Sequence, residues 1–229
     1  MISKYIKEEY YRPLAAVVLI AAGVIGRLSL NQLLPETPSI YITLNGVTQP
    51  MFMMDLFFVV AVISIISGLI LGGYYTFIVP ISVMTITDVI IGNNFVMLFT
   101  WSGFIILGLI GYILKNKNSF SLNKTPTILG SSIAGVLLYD IWTNFGCWLG
   151  GMYPQNLNGL ILCYTMALPF TFWHLLSTSI LMASIIIPVL LIKEKGLIKT
   201  DFQPSLFEKR ATIATSLIFF SLVLCSAIV

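Results

Sequence analysis

The sequence predicts an all-α protein, a bundle of helices that spans a membrane. Hydrophobic residues make up 58% of its 229 positions and charged residues only 9%, with a mean hydropathy of +0.97. Soluble globular domains average about 45–50% apolar and about 25% charged residues. The apolar residues fall in runs of about 20, the number that a helix needs to cross about 30 Å of hydrocarbon. Because only helices and closed barrels satisfy their backbone in lipid, these runs predict membrane-spanning helices.

Seven apolar segments are long enough for such helices. They lie at about residues 13–34, 51–71, 73–91, 95–114, 126–146, 170–192 and 211–229. Because proline interrupts helices, Pro169 is expected to separate the sixth span from a short helix over 159–168 in the membrane interface. Residues 1–192 are therefore predicted as a six-helix membrane domain, and residues 193–229 as a cytoplasmic loop and an additional transmembrane helix. No cleavage site of small residues follows the first span, which indicates a retained helix rather than a signal peptide.

The basic residues predict the orientation of the chain. Cytoplasmic loops of membrane proteins carry an excess of Lys and Arg. With a cytoplasmic N-terminus, eleven of the twelve basic residues fall on the cytoplasmic side, and only Arg27 falls on the other. We therefore expect a multi-pass protein of the cell membrane with its C-terminus outside. The formal net charge of +3 follows from this topology and does not indicate a nucleic-acid partner.

Polar side chains, which are rare in this sequence, collect on the predicted extracellular side. An ionisable residue in the middle of a span costs about 2.5–3.5 kcal/mol, so each one is a candidate functional residue. Together with aromatic residues at the same depth, they predict a cavity that binds a small molecule. The predicted binding residues are Asp88, Asn93, Asp140, Asn144, Trp148, Tyr153 and His174, and Asp55, Trp101, Trp142 and Trp173 share their depth.

A simpler interpretation is open for several of these residues. Tryptophan and tyrosine form belts at membrane interfaces, and an aspartate near a helix end, such as Asp55 or Asp88, reaches water. His174 also fits a structural role, with its ring bonded to Ser177 or to a loop carbonyl. Asp140 fits this interpretation less well, because it lies about five residues inside its predicted helix and its side chain is short.

The sequence lacks the motifs of several enzyme classes. It has a single His, and it contains no Gly-x-Ser-x-Gly, His-Glu-x-x-His or P-loop motif. A serine-hydrolase elbow, a zincin site and a nucleotide-binding loop are therefore excluded. We expect a protein that is not an enzyme and that needs no metal ion or cofactor.

Small residues form a stripe on the first predicted helix. Ala15, Ala22 and Gly26 follow the spacing of one helix face, together with Leu19. The pair Ala22 and Gly26 is a small-xxx-small pattern, which permits close contact between helices. The stripe indicates either packing within the chain or docking onto a partner subunit, and both interpretations stay open.

Three sequence blocks between Gly72 and Ile192 carry a resemblance. They contain Pro80 with Thr87 and Asp88, then Thr143, Asn144, Phe145, Trp148, Tyr153 and Pro154, then Cys163, Tyr164, Ala167, Leu168, Pro169 and Phe170. This pattern resembles an uncharacterised membrane protein family related to the substrate-binding S components of energy-coupling-factor (ECF) vitamin transporters. In that family an aromatic residue is more frequent at the position of Asp140, and the helix over 211–229 is additional.

The resemblance implies a six-helix core that captures a vitamin-like or nucleobase-like solute at its extracellular end. It also implies docking, through the small residues of the first helix, onto a transmembrane coupling subunit that ATPase subunits drive. The alternative is a non-catalytic accessory subunit of a larger membrane complex. A self-sufficient carrier with Asp88 or Asp140 as a proton relay is less favoured, because the two halves show no inverted repeat.

Overall fold

The computed structural model describes residues 2–30, 40–50, 58–92, 94–117 and 121–195, and these residues form a bundle of helices with one small hairpin. The helices are α1 (Ile2–Ser29), α2 (Val59–Ile66), α3 (Tyr75–Ile91), α4 (Met97–Asn116), α5 (Thr125–Leu149) and α6 (Leu157–Glu194). A π-helical turn over Ser67–Leu71 continues α2. Three parts of the sequence prediction lie outside the described residues, namely Asp55, Asn93 and the helix over 211–229.

In the part of the chain that the structure describes, three helices are long and apolar enough to cross a membrane. They are Tyr11–Ser29 of α1, the whole of α4 and the whole of α6. The segments Val59–Leu71 and Tyr75–Ile91 are apolar but shorter. Large apolar side chains also face outward, among them Val17 on α1, Val89 on α3 and Leu168 on α6, which are 61%, 82% and 64% exposed. An apolar outer surface is what a bundle needs for contact with lipid, so the fold is compatible with membrane insertion.

The separate interfacial helix predicted over 159–168 is wrong, because α6 runs without a break from Leu157 to Glu194 through Pro169 and Pro188. Each proline removes one backbone hydrogen bond from a helix interior. Neighbouring helices compensate for that loss in membrane bundles, so proline is tolerated there. At about 1.5 Å per residue, the 38 residues of α6 span about 57 Å, which exceeds the thickness of the hydrocarbon core.

Successive helices run in opposite directions between two ends of the bundle. At one end, Nη2 of Arg12 donates to the carbonyl oxygen of Leu71 at 2.9 Å, and Nζ of Lys115 donates to the same oxygen at 2.8 Å. These bonds bring Arg12, in the first half of α1, together with the end of the π-helical turn and the end of α4. Both cations cap carbonyls that the end of a helix leaves without partners. We name this end the basic end.

At the other end of the bundle, α3 ends and α4 begins. There Arg27, in the last turn of α1, is bonded to Asp88 in the last turn of α3. Fifteen residues separate Arg27 from Arg12 on the same helix, or about 22 Å of helix axis. We name this the Asp88 end. The chain thus places one cationic cluster and one ion pair at opposite ends of the apolar segment Tyr11–Ser29 of α1.

The core of the bundle forms around α4, which packs against α2, α3 and α5. Phe104 and Leu107 of α4 meet Ile65 of α2, Val83 of α3 and Tyr139 of α5 in one buried cluster. The contact between α2 and α4 is made through backbone. A Cβ atom built on Gly68 would lie 2.7 Å from the backbone nitrogen of Tyr112 and closer still to the carbonyl oxygen of Gly108. Glycine is thus required for the approach of these two helices.

A β-hairpin lies between α1 and α2 in the sequence. Strand β1 (Tyr41–Leu44) pairs antiparallel with strand β2 (Val47–Pro50). The two-residue turn consists of Asn45 and Gly46, with φ values of +50° and +83°. Positive φ at both central residues is the geometry of a type I′ turn, in which the Asn-Gly pair is preferred.

Candidate functional site

A cleft of about 520 Å³ opens at the Asp88 end, where α1, α3 and α4 meet the loop between α5 and α6. Binding sites for small molecules usually measure about 300–1,000 Å³. The cleft combines a charged pair with amide, hydroxyl and apolar side chains, a mixture that orients a ligand as well as burying it. Its lining residues are Arg27, Asp88, Ile91, Gly92, Asn94, Val96, Met97, Thr100 and Met152.

The charged pair in the wall of the cleft joins three helices. Nη1 of Arg27 donates to Oδ1 of Asp88 and to Oγ1 of Thr87. Nε1 of Trp101, on α4, donates to Oδ2 of Asp88 at 2.7 Å. The carboxylate side chain is only 6% exposed, while that of Arg27 is 27% exposed toward the cleft. Both carboxylate oxygens are therefore engaged by protein donors, and the arginine is the more accessible member of the pair.

The position of Asp88 at the end of α3 explains why its carboxylate is stabilised by a cation such as Arg27. Asp88 is in the last turn of α3, where the negative end of the helix dipole disfavours a carboxylate. Arg27 compensates both the carboxylate and the helix end. Small residues of α1 permit the approach, since a Cβ built on Gly23 would lie 2.7 Å from a methyl group of Val83. The register of α1 on α3 thus places the two charges beside each other.

A second polar group is buried between α5 and α6. Nδ1 of His174 lies 2.7 Å from Oδ1 of Asp140, and the two side chains are 8% and 6% exposed. The imidazole stacks on the ring of Phe58, with centroids 3.9 Å apart and planes at 13°. The backbone nitrogen of Phe58 donates to Oγ of Ser177 at 2.9 Å. This group holds the start of α2 against α6, and it does not line the cleft.

The structure divides the predicted binding residues between the cleft and this second group. Asp88 lines the cleft, whereas Asp140 and His174 are bonded to each other. Asn144 uses its amide nitrogen to donate to the carbonyl oxygen of Asp140 at 2.7 Å, on the same helix. His174 is bonded to Asp140, a partner that the structural interpretation, with Ser177 or a loop carbonyl, did not name. The binding roles of these residues stay predictions.

Trp148, in the last turn of α5, and Tyr153 lie at the turn between α5 and α6. Nε1 of Trp148 donates to the carbonyl oxygen of Pro154 at 3.0 Å, so the indole closes the turn on itself. Tyr153 is half-buried, and its burial raises the pKa of the phenol, with smaller contributions from Cys163 and Cys147. The phenol is therefore neutral at physiological pH. Neither residue lines the cleft, but Met152 of the same turn does, so the turn borders the cleft.

The stripe of small residues on α1 does not share one environment. Gly26 is buried against Val59, because a Cβ there would lie 2.9 Å from a methyl group of that residue. Ala22 is exposed, and Ala15 is partly buried beside Tyr75 and other core side chains. Packing within the chain thus accounts for Gly26. Docking of a partner along α1 stays a prediction, in which Ala22 offers the accessible surface.

Arg27 lines the cleft but is not among the binding residues predicted from the sequence. A signal for it existed, because Arg27 is the one basic residue on the extracellular side of the predicted topology. An isolated arginine inside an apolar helix needs a buried partner or a wet cavity. Asp88 lies at the same predicted depth as Arg27, so the sequence already offered it as a partner for this arginine. Trp101 was predicted only to share the depth of the cavity, with an aromatic belt as the simpler interpretation, and in the structure it donates a hydrogen bond to Asp88.

Replacing Asp140 by alanine is expected to lower the free energy of unfolding by about 1–3 kcal/mol, because Nδ1 of the buried His174 loses the carboxylate bonded to it. The double variant Asp140→Leu with His174→Phe should lose less than the sum of the single changes, since both polar groups are then removed. Unfolding in detergent micelles, followed by tryptophan fluorescence, measures both effects. Thr165→Ala, at an exposed position of α6, is the control and should change stability by less than about 0.5 kcal/mol. Equal stability of Asp140→Ala and wild type would contradict the burial of this pair.

Comparison with known proteins gives one match. A family model described as a family of unknown function, DUF6580, matches residues 7–200. No curated protein and no solved structure matches the sequence. The matched residues include all the side chains of the cleft and of the Asp140–His174 group, and they end before the predicted helix over 211–229. Because the match covers more than four fifths of the chain, the protein belongs to the family of unknown function DUF6580.

Proposed function

We propose that the protein is a membrane subunit that binds a small solute in the cleft at the Asp88 end. The observation that carries this proposal is the cleft of about 520 Å³ with the Arg27–Asp88 pair in its wall. A charged pair is costly at membrane depth, and it is retained where it faces a ligand or water. Asn94 and Thr100 add polar groups that can orient a solute, while Met97 and Met152 add apolar surface.

The proposed binding side is extracellular. The cleft lies at the end of the bundle opposite the basic end, where Arg12 and Lys115 cap the last carbonyls of α2. Lys117, Lys124 and Lys193 belong to the same end, because they lie at the end of α4, the start of α5 and the end of α6. Since basic residues are retained in the cytoplasm, this end would be cytoplasmic and the cleft would open outside.

Transport of the bound solute would depend on partner proteins, because the sequence contains no nucleotide-binding motif. The resemblance to S components of ECF transporters favours a transmembrane coupling subunit with ATPase subunits as these partners. In this proposal the six helices correspond to the six-helix core of an S component. The chain itself would bind the solute and would not catalyse a reaction.

A binding assay with cleft-filling variants tests the proposal. Purified protein in lipid nanodiscs is titrated with a panel of vitamins and nucleobases by isothermal titration calorimetry. Thr100→Phe and Met152→Trp each place a large ring at the cleft and should weaken binding at least tenfold. Trp148→Ala and Tyr153→Phe change the adjoining turn outside the cleft and should leave the dissociation constant within about twofold. Loss of binding in the second pair alone would move the site to the turn and contradict the cleft.

The accessory-subunit alternative makes a different prediction about partners. Purification from the native membrane in mild detergent should recover an ATP-binding protein if the chain is a transporter subunit. Recovery of the subunits of an enzyme complex, together with no solute binding by wild type, would favour the accessory role instead.

A further inference from the structure

We propose that the solute carries a carboxylate, which binds the edge of the Arg27 guanidinium formed by Nε and Nη2. This inference rests on the proposed function and specifies the chemical class of its ligand. It depends on which hydrogen-bond donors of the cleft are already used by the protein and which ones a ligand can reach.

Among the described residues, the guanidinium of Arg27 is bonded to the protein through Nη1 alone. Nη1 donates to Oδ1 of Asp88 and to Oγ1 of Thr87, and it lies 3.4 Å from Sδ of Met84. Within the part of the chain that the structure describes, Nε and Nη2 make no hydrogen bond, and neither atom is buried. Two parallel N–H groups therefore point away from Asp88 while Arg27 lines the cleft.

This free edge has the geometry of a carboxylate site. The Nε and Nη2 donors of arginine form a planar fork that matches both oxygens of a carboxylate, and such paired bonds are stronger than bonds between neutral groups. Asp88 and Thr87 hold the opposite side of the guanidinium, so the fork is oriented before a ligand arrives. Trp101 in turn fixes Asp88 through the bond to Oδ2. A ligand thus meets a preorganised donor pair and not a flexible side chain.

The charge of the cleft favours a single negative charge on the ligand. Asp88 already neutralises Arg27, so the pair contributes little net positive charge for a phosphate dianion. A monocarboxylate gains two directed hydrogen bonds at the fork and needs less compensating charge. Asn94 and Thr100 supply further polar side chains. The other lining side chains are apolar, namely Ile91, Val96, Met97 and Met152. The expected ligand is a monocarboxylate with a largely apolar or aromatic body.

Matched acids and amides test this assignment. Nicotinate and nicotinamide, biotin and biotin amide, and 3-phenylpropanoate and 3-phenylpropanamide differ within each pair only in the carboxylate. Calorimetry on the full chain in nanodiscs should show at least one acid binding tenfold or more tightly than its amide. Arg27→Lys keeps the positive charge beside Asp88 but removes the fork. It should weaken binding of that acid about tenfold and leave the affinity of the amide within about twofold.

Lys117→Gln is the control for loss of a cation away from the cleft, since Lys117 lies at the exposed basic end of α4. It should leave acid binding unchanged. Equal affinity for acid and amide, or unchanged acid binding by Arg27→Lys, would overturn the carboxylate assignment while leaving solute binding intact. Binding of none of these compounds, and none of the vitamin and nucleobase panel, would overturn the proposed function and this inference with it.

Discussion

Replacing Gly111 by alanine is expected to destabilise the bundle by about 3 kcal/mol or more. A Cβ built on Gly111 would lie 2.9 Å from the backbone nitrogen of Leu69 and closer still to the carbonyl oxygen of Ile65. Overpacking of a core costs about 1–3 kcal/mol where side chains can rearrange. Here the obstacle is the backbone of α2, which can give way only if the two helices separate. Separation would also open the buried cluster around Ile65 and Leu107.

The matched control for this variant is Gly130→Ala on α5. Gly130 is also a helical glycine, but a Cβ built there meets no atom within 4 Å. Because alanine is the better helix former by about 1 kcal/mol, this substitution should be neutral or stabilising. Thermal unfolding in detergent, followed by loss of the monodisperse peak in size-exclusion chromatography, compares the two variants with wild type. If Gly111→Ala melts at the wild-type temperature, α2 and α4 do not meet through their backbones.

The helices were predictable from the sequence because the thickness of lipid fixes the length of an apolar run. Helix formation at the predicted positions of α1, α3, α4 and α5 followed from that constraint alone. The prediction of a helix break at Pro169 is wrong for a physical reason. Proline removes a backbone bond to the preceding turn, yet neighbouring helices stabilise α6 enough to continue it. Tertiary packing therefore outweighs the local tendency of proline to interrupt a helix.

The hairpin over 41–50 shows a local signal that was missed. A strand of four residues is too short to form the run of about 20 apolar residues that predicts a membrane-spanning helix. The Asn45–Gly46 pair, flanked by Thr43 and Thr48, nevertheless carries the preferred sequence of a type I′ turn. The turn residues therefore predict this hairpin, whereas the length of apolar runs does not.

The candidate site was only partly predictable, because its geometry depends on the register between helices. Depth in the membrane grouped Asp88 with Asp140, but depth does not define which face of each helix points inward. The structure bonds Asp88 to Arg27 across α1 and α3, and Asp140 to His174 across α5 and α6. Those contacts link residues 61 and 34 positions apart in the chain, and no periodic pattern records them.

The Arg27–Asp88 pair is expected to show strong coupling in a double-mutant cycle. Asp88→Leu leaves Arg27 and the indole N–H of Trp101 without their acceptor, and loss of one member of a buried pair costs about 3 kcal/mol or more. The double variant Arg27→Met with Asp88→Leu replaces both charges by apolar groups, which is often close to neutral. We expect a coupling energy of about 3 kcal/mol, measured as unfolding free energy in micelles. Combining Arg27→Met with Thr165→Ala, on a helix remote from the pair, should instead give additive losses.

The same double variant separates stability from binding. If the pair were retained only to hold α1 against α3, the apolar replacement would restore the fold and leave solute affinity within about twofold of wild type. If Arg27 binds the solute, the replacement should fold with near wild-type stability and still lose acid binding at least tenfold, because methionine has no N–H donors. A stability-neutral variant without affinity is therefore the result that assigns the pair to function. A stable variant with full affinity would assign it to helix packing alone.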